Sequence, residues 1–334
     1  MTATARMRSP MTAPLADIQN PVRTGLQQVS AEMVRIVVTD TPLIGEVSRH
    51  LLGMKGKMFR PTLTLLASRV EGESNGRAAT LGAVVELIHL ATLVHDDSVD
   101  HSVLRRGMPT VNALFSHQIS VIMGDFLYSR ALLELVRLKD LDALGVLAKA
   151  SNDMTLGEMR QLALNDPLAF SEEDYNLLIG AKTASLMAAA CEVGALCGSS
   201  VYRAPLARYG QSMGMAFQIA DDLLDYTESK ETTGKPSGLD LREHKVTLPL
   251  IAALRTMSAA ARAEVDEFFA TAEADDAAAS RIMEIVAEEG GLDYARARGD
   301  EHASKAEEAL SELPAGEATS ALRSAISYVM DRRF

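Results

Sequence analysis

Two copies of one carboxylate pattern, each closing an apolar helical run, constrain this chain more than any other feature. The first is ELIHLATLVHDDSVD, with Asp96, Asp97 and Asp100; the second is MAFQIADDLLDYTES, with Asp221, Asp222 and Asp225. In each, the D-D-x-x-D spacing stacks the first and last carboxylates on one helix face. Anions held that close repel unless a cation lies between them, and at a helix C-terminus they also oppose the helix dipole. A bundle relieves both clusters at once by facing the two helices across the mouth of one cavity. A single copy would read as a solvated helix end. Two copies, each followed by basic residues, point to divalent metal. Mg²⁺ held by one or two carboxylates completes its shell with water and phosphate oxygens, so the pattern predicts a phosphate-bearing substrate.

The rest of the chain agrees with a bundle. From about Pro21 onward the periodicity is helical, Pro and Gly fall between the periodic segments, and no alternating run reads as a strand. We expect an all-α, single-domain bundle of antiparallel helices around a deep central cavity over residues 21–334, preceded by a flexible leader over 1–20. At 334 residues, with 47% hydrophobic and 23% charged, the chain can bury a substantial core. A net charge of -12 and a pI near 5.1 exclude the basic face of a nucleic-acid binder.

Cys191 and Cys197 stand six residues apart in one small-residue helical run and cannot readily pair. Buried free thiols in a reducing compartment follow, and with them a cytoplasmic location. The leader has no hydrophobic signal region. Its Arg6 and Arg8 faintly resemble an organelle transit peptide, although a true start at Met11 explains them equally well. No uninterrupted apolar run reaches membrane-span length.

The basic residues fall into three groups: Lys57 and Arg60 in GMKGKMFRP, the pair Arg105–Arg106, and Lys235 and Lys245 in the loop after the second cluster. Alone, each is surface charge; beside the carboxylates, each becomes a phosphate ligand candidate, Arg as a fork and Lys as a point charge. Gly234–Lys235 is not a P-loop, because Ser229 and Pro236 occupy positions that require Gly and Ser or Thr. His89 lies seven residues before Asp96, on roughly the same face, where a structural histidine and a phosphate ligand are equally good readings. Lys182, Thr183 and Gln218 lie in helices that point toward the same mouth. Asp275 and Asp276 lack a partner four residues on and receive no role.

Over residues 51–254 the chain resembles the trans-isoprenyl diphosphate synthases, specifically the medium- to long-chain polyprenyl kind. The motifs GKMFRP, ELIHLATLVHDDSVD, RRGMPT, GDFLYSRA, EMRQL, KTASL, FQIADDLLD and GKPSGLDLREHKVTLP occur in family order. The resemblance implies several Mg²⁺ ions held by Asp96, Asp100 and Asp221, with Asp97, Asp222 and Asp225 in the same catalytic clusters. It implies that Lys57, Arg60, His89 and Arg106 hold isopentenyl diphosphate. Arg105, Lys182, Thr183, Gln218, Lys235 and Lys245 would hold an allylic diphosphate, farnesyl or geranylgeranyl, with Lys182 and Lys235 also counted as catalytic and a lid closing around Lys235. The implied reaction is repeated head-to-tail condensation in a homodimer, with peripheral membrane contact for release of a product that serves as a quinone side chain.

Chain length should depend on what lies below Asp96. Ala91 and Thr92 are small where short-chain relatives carry aromatics, so an octaprenyl to decaprenyl product is expected, with Ile88, Val84, Leu127 and Leu132 as floor candidates. Rival readings are a geranylgeranyl-type synthase, a terpene cyclase and a non-catalytic partner subunit; the two intact clusters argue against the last two. Two departures from the family pattern stand out. The first basic loop reads Lys55, Gly56, Lys57, Met58 instead of two glycines and an Arg, and His244 replaces the usual Gly before Lys245, which would alter how the late loop closes.

Overall fold

The structure, a computed structural model, describes residues 13–54, 56–163, 166–227, 238–271 and 275–331. Within these the chain is helical nearly throughout. It begins with α1 (Leu15–Gln19), α2 (Arg23–Val37), α3 (Pro42–Gly53), α4 (Phe59–Ala67) and α5 (Ala78–Val99). A small antiparallel hairpin, β1 (Leu104–Arg105) with β2 (Met108–Pro109), departs from the strand-free expectation; Arg106 and Gly107 turn it with positive φ. Then come α6 (Val111–Leu114), α7 (His117–Leu138), α8 (Leu141–Leu162) and α9 (Glu172–Ile179), which runs through a π-helical turn, Gly180–Ala184, into α10 (Ser185–Ala195). The remainder is α11 (Arg203–Thr227), α12 (Leu239–Arg242), α13 (Leu248–Leu254), α14 (Ala259–Ala270), α15 (Asp276–Glu288), α16 (Gly291–Ser311) and α17 (Glu317–Met330).

Local chemistry sets the helix starts. Ser116 and Asp140 accept hydrogen bonds from the third residues of α7 and α8, and Ser171 forms a reciprocal capping box with Asp174 at α9. Asp275, given no role above, caps α15 in the same way. Packing then orders the helices. α5 is apolar on most sides and packs against α2, α4, α7 and α10, while α10 also meets α8 and α11. The main core runs through these helices, with Leu63, Leu81, Leu87, Leu147 and Leu186 at 2% exposure or less; each such burial contributes about 2 kcal/mol. A second core joins α9 and the C-terminal half of α11 to α12–α16 around Tyr175, Leu223, Leu250 and Phe268. Cys191 and Cys197 are buried and unpaired.

Two expectations change. Ala78–Val99 and the run Glu172–Ala195 are long and apolar enough on average to cross a bilayer, but both are largely buried, as core helices are. The boundary at Pro21 moves toward the N-terminus. α1 lies inside the expected leader, yet it packs on α17 and buries Ile18 to 1% exposure. Gln19 donates to the Lys57 carbonyl at 2.8 Å and to Thr62 Oγ1 at 3.1 Å. Residues 1–12 of that leader lie outside the described residues. An Ile18→Ala variant should therefore lose about 2 kcal/mol of stability, read as a lowered Tm; an unchanged Tm would restore α1 to a dispensable leader.

Candidate active site

One cavity of about 1060 Å³ lies among α4, α5, α7, α8, the π turn and α11. Asp96 and Asp221, the leading residues of the two clusters, both line it. Asp96 comes from the last turn of α5, where burial pushes its carboxyl up to about 6. Lys182 and Arg105 counter that rise, while Glu158 and Asp100 add to it. Asp100 itself forms the C-cap of α5 and is exposed, outside the cavity lining, with its N–H donating to the Asp96 carbonyl at 2.8 Å. Asp97 points elsewhere: it is buried and accepts from Arg105 Nε at 2.7 Å, so it orients that arginine.

In the second cluster Asp221 lines the cavity, while Asp222 and Asp225 face other partners. Asp222 is buried away from the cavity and accepts from the Tyr175 hydroxyl at 2.6 Å and from Gln218 Nε2 at 2.8 Å; burial holds its carboxyl well above the usual range. Asp225 accepts from the backbone N–H groups of Leu239 and Asp240, both at 3.0 Å, and so caps α12. In this arrangement Asp222 positions Gln218 and Asp225 anchors the start of α12.

Lys182 and Thr183 reach the cavity from the π turn, a rare helical form often found at functional sites. α11 closes tightly on it, since a Cβ on Gly214 would collide with Ala184. Lys182 Nζ pairs with Glu158 at 2.6 Å and donates to Gln161 at 3.2 Å. Thr183 donates to Gln218 Oε1 at 2.8 Å, completing a chain from Thr183 through Gln218 and Asp222 to Tyr175.

A second cationic group lies beside the first. Lys57, Arg60, His89 and Arg106 all line the cavity, with the left-handed Met58 turning the chain between Lys57 and α4. Burial, then Arg60, Arg106 and Arg105, depress His89 well below its ordinary range, so its imidazole is neutral at pH 7. The Arg106 guanidinium lies over Gly56, where a Cβ would sit 2.6 Å from Nη1. The two basic segments therefore interlock.

Lys245 does not line the cavity wall. Its Nζ pairs with Glu243 at 2.7 Å; burial works against the ammonium, but Glu243, Asp100 and Asp240 raise it above the usual lysine range. Lys235 and the lid expected around it lie outside the described residues. Ile88, Ala91 and Thr92 line the cavity, whereas Val84 and Leu127 are buried off it and Leu132 is 42% exposed on the outer face of α7.

Sequence reasoning missed Glu86, Asp125 and Glu158, all on the cavity wall. Asp125 and Glu158 stand inside the motifs GDFLYSRA and EMRQL, and Glu86 is one turn before His89, so position was the available signal. Glu86 is buried, which raises its carboxyl against the pull of Arg60 and Arg106. Among the described residues, no three His, Cys, Asp or Glu side chains converge to hold a metal ion unaided. Asp96 and Asp221 still fit one that takes its remaining ligands from phosphate and water, because burial, Glu158 and Asp100 crowd the Asp96 carboxylate.

The family model "Polyprenyl synthetase" matches residues 41–286. The chain belongs to this family. It is thereby a trans-prenyltransferase. It is 37% identical to the octaprenyl diphosphate synthase of Haemophilus influenzae, over 95% of this chain and 97% of that one. A polyprenyl synthase from Caulobacter crescentus, solved with calcium and isoprenyl diphosphate, superposes with a TM-score of 0.91 at 35% identity, covering 98% of this chain and all of that one. A decaprenyl diphosphate synthase from Rhodobacter capsulatus gives 0.90 at 34% identity, covering 96% and 100%.

Two outcomes test this geometry. Gly56→Ala forces the Arg106 guanidinium to move while sparing the fold, so diphosphate affinity should fall about tenfold at unchanged Tm, the worth of one charge-assisted hydrogen bond. The raised Asp96 carboxyl gives a pH test. A folded value of about 6 against 3.8 means that the folded state binds the extra proton, so Asp96 erodes metal-free stability as pH rises from about 4 to about 6. A divalent cation should therefore raise Tm at pH 7.5 and lose that effect as pH falls through 6, and Asp96→Asn should abolish it; equal stabilisation at pH 5 would contradict the assignment.

Proposed function

We propose that the protein is a Mg²⁺-dependent synthase that extends an allylic diphosphate, farnesyl or geranylgeranyl, with isopentenyl diphosphate to an all-trans octaprenyl to decaprenyl diphosphate. One observation carries this reading. A single cavity presents the leading carboxylates of both clusters, two adjacent cationic groups and, one turn below Asp96, the small side chains of Ala91 and Thr92. Octaprenyl and decaprenyl synthases among its relatives support the length.

Asp96 and Asp221, with Asp100 one turn beyond Asp96, would hold the Mg²⁺ ions, which when bound supply the positive charge a departing diphosphate needs. Lys182 and Thr183, with Arg105 steadied by Asp97, hold the allylic diphosphate in line with those carboxylates. Lys57, Arg60, Arg106 and neutral His89 take the diphosphate of the second substrate, which lacks a carboxylate pair of its own. As the allylic C–O bond breaks and diphosphate departs, the double bond of isopentenyl diphosphate attacks the allylic carbon, and transfer of a proton from the new unit to the departing diphosphate quenches the carbocation. The apolar wall excludes water that would quench the cation.

The same reading includes a homodimer. α7 exposes Val121, Ile122, Tyr128, Leu132, Leu133 and Val136 along one face, and Tyr128 also lines the cavity, so a second copy packed there would seal the wall. Val103 and Leu104 on the hairpin, both more than 60% exposed, offer a peripheral membrane contact for product release. The buried thiols suit the cytoplasm.

Incubation of the pure protein with Mg²⁺, farnesyl diphosphate and labelled isopentenyl diphosphate should give products of eight to ten isoprene units. Asp96→Asn should lower turnover by at least about a hundredfold; unchanged turnover would remove the catalytic assignment. Ala91→Phe and Thr92→Phe should shorten the product, and an unchanged product would refute the floor argument. Light scattering of the native chain should give twice the monomer mass, and Leu133→Glu should reduce it.

A further inference from the structure

α12 ends in a way its sequence does not favour. The N–H of His244 donates to the Leu241 carbonyl at 2.9 Å and that of Lys245 to the Asp240 carbonyl at 2.8 Å, while His244 has φ 52. This pair of bonds around a left-handed residue is the helix stop in which glycine is usual, because a Cβ is disfavoured there. Histidine must be held by something, and its ring supplies the contact. It packs against Phe268 and Phe269 of α14, with centroid separations of 5.7 and 5.4 Å, and the two phenyl rings meet edge to face at 5.5 Å. His244 Nε2 also lies 3.4 Å from the Phe268 carbonyl.

The residue so fixed is the one before Lys245. At its other end the segment is tied by Asp225, which accepts from the N–H groups of Leu239 and Asp240. Lys245 leaves this clamped turn beside Glu243 and within electrostatic reach of Asp100 on α5 and of Asp240. We propose that His244 is a positioning residue: its aromatic clasp to α14 replaces a glycine hinge with a fixed turn and holds Lys245 toward the allylic diphosphate. A glycine would leave that turn free in the empty enzyme, and substrate would have to order it on binding. The clasp removes that cost, so its signature is in substrate affinity and not in the chemical step.

The inference rests on the assignment of Lys245 to the allylic diphosphate, which the same experiment checks. KM for farnesyl diphosphate, KM for isopentenyl diphosphate and kcat are measured for five variants of the full-length enzyme. His244→Gly, which keeps the backbone turn, should raise KM for farnesyl diphosphate about fivefold at unchanged kcat and unchanged KM for isopentenyl diphosphate. His244→Asn, tolerant of positive φ but lacking the large ring, should match it. Phe269→Ala, which touches no part of the site, should reproduce the shift, and the His244→Gly/Phe269→Ala double variant should add nothing. Lys245→Ala should raise the same KM at least as far. If Lys245→Ala leaves KM for farnesyl diphosphate unchanged, the assignment of Lys245 fails and the proposal with it. If Lys245→Ala raises it but His244→Gly or Phe269→Ala does not, or if the double variant is additive, the clasp alone is overturned.

Discussion

Carboxylates crowded at the mouth of an apolar cavity are the constraint on which the rest of this structure depends. Asp96 is driven toward protonation by burial and by Glu158 and Asp100, while Lys182 and Arg105 oppose that push. The cations nearby are already engaged, Lys182 with Glu158 at 2.6 Å and Arg105 with Asp97 at 2.7 Å. Negative charge is thus crowded where burial penalises it, and a protein that only needed stability would replace it with apolar side chains. Such crowding makes sense where a cation arrives together with a phosphate-bearing substrate. The buried partners fix the geometry beforehand: Asp97 aims Arg105, and Tyr175 and Asp222 aim Gln218 and through it Thr183.

In the proposed reaction the second cationic group solves a different problem. Two diphosphates must lie side by side without mutual repulsion, and neutralising both with the same ions would make them compete for one place. Here Lys57 and Arg60 enter from the α4 loop and Arg106 from the hairpin, meeting where Gly56 leaves room for a guanidinium. His89 stays neutral because burial, and then these same arginines, suppress its protonation, so it can donate one hydrogen bond without adding charge. α1 belongs to this arrangement as well, since Gln19 holds the carbonyl of Lys57. A segment that reads as a leader thereby supports the loop that carries Lys57.

What could be read from the sequence followed from short-range periodicity. Helical spacing put Asp96 above Ala91 and Thr92 and aligned His89 with them, and all four line the cavity. The same periodicity misleads where a neighbour distant in sequence decides the outcome. Asp222 follows Asp221 by one residue, a rotation of about 100° on a helix, which turns it to Tyr175, 47 residues earlier. Asp225 does share the face of Asp221, but α12 offers it two unpaired N–H groups. Leu132 fits an inward helical pattern on paper, whereas α7 is apolar on both faces and spacing cannot tell inside from outside. The hairpin at Leu104–Pro109 is too short for any alternation to show, and its turn depends on Arg106 accepting a positive φ.

That two-sided character of α7 links product containment to assembly. Met123, Leu127, Ala131 and Leu135 pack inward at 3% exposure or less, while Ile122, Leu132, Leu133 and Val136 face out at 42% or more. A helix apolar around most of its circumference is stable in water only when covered. Along α8 the cavity runs from Glu158 back to Ala148, ten residues or about 15 Å of helix, and Tyr128 forms part of the facing wall while standing 39% exposed. An isolated chain would leave the growing hydrocarbon next to a wall open to solvent. The proposed second copy, seated on the outer stripe of α7, covers that stripe and closes the wall together, so the same burial that would hold the dimer also keeps water from the product.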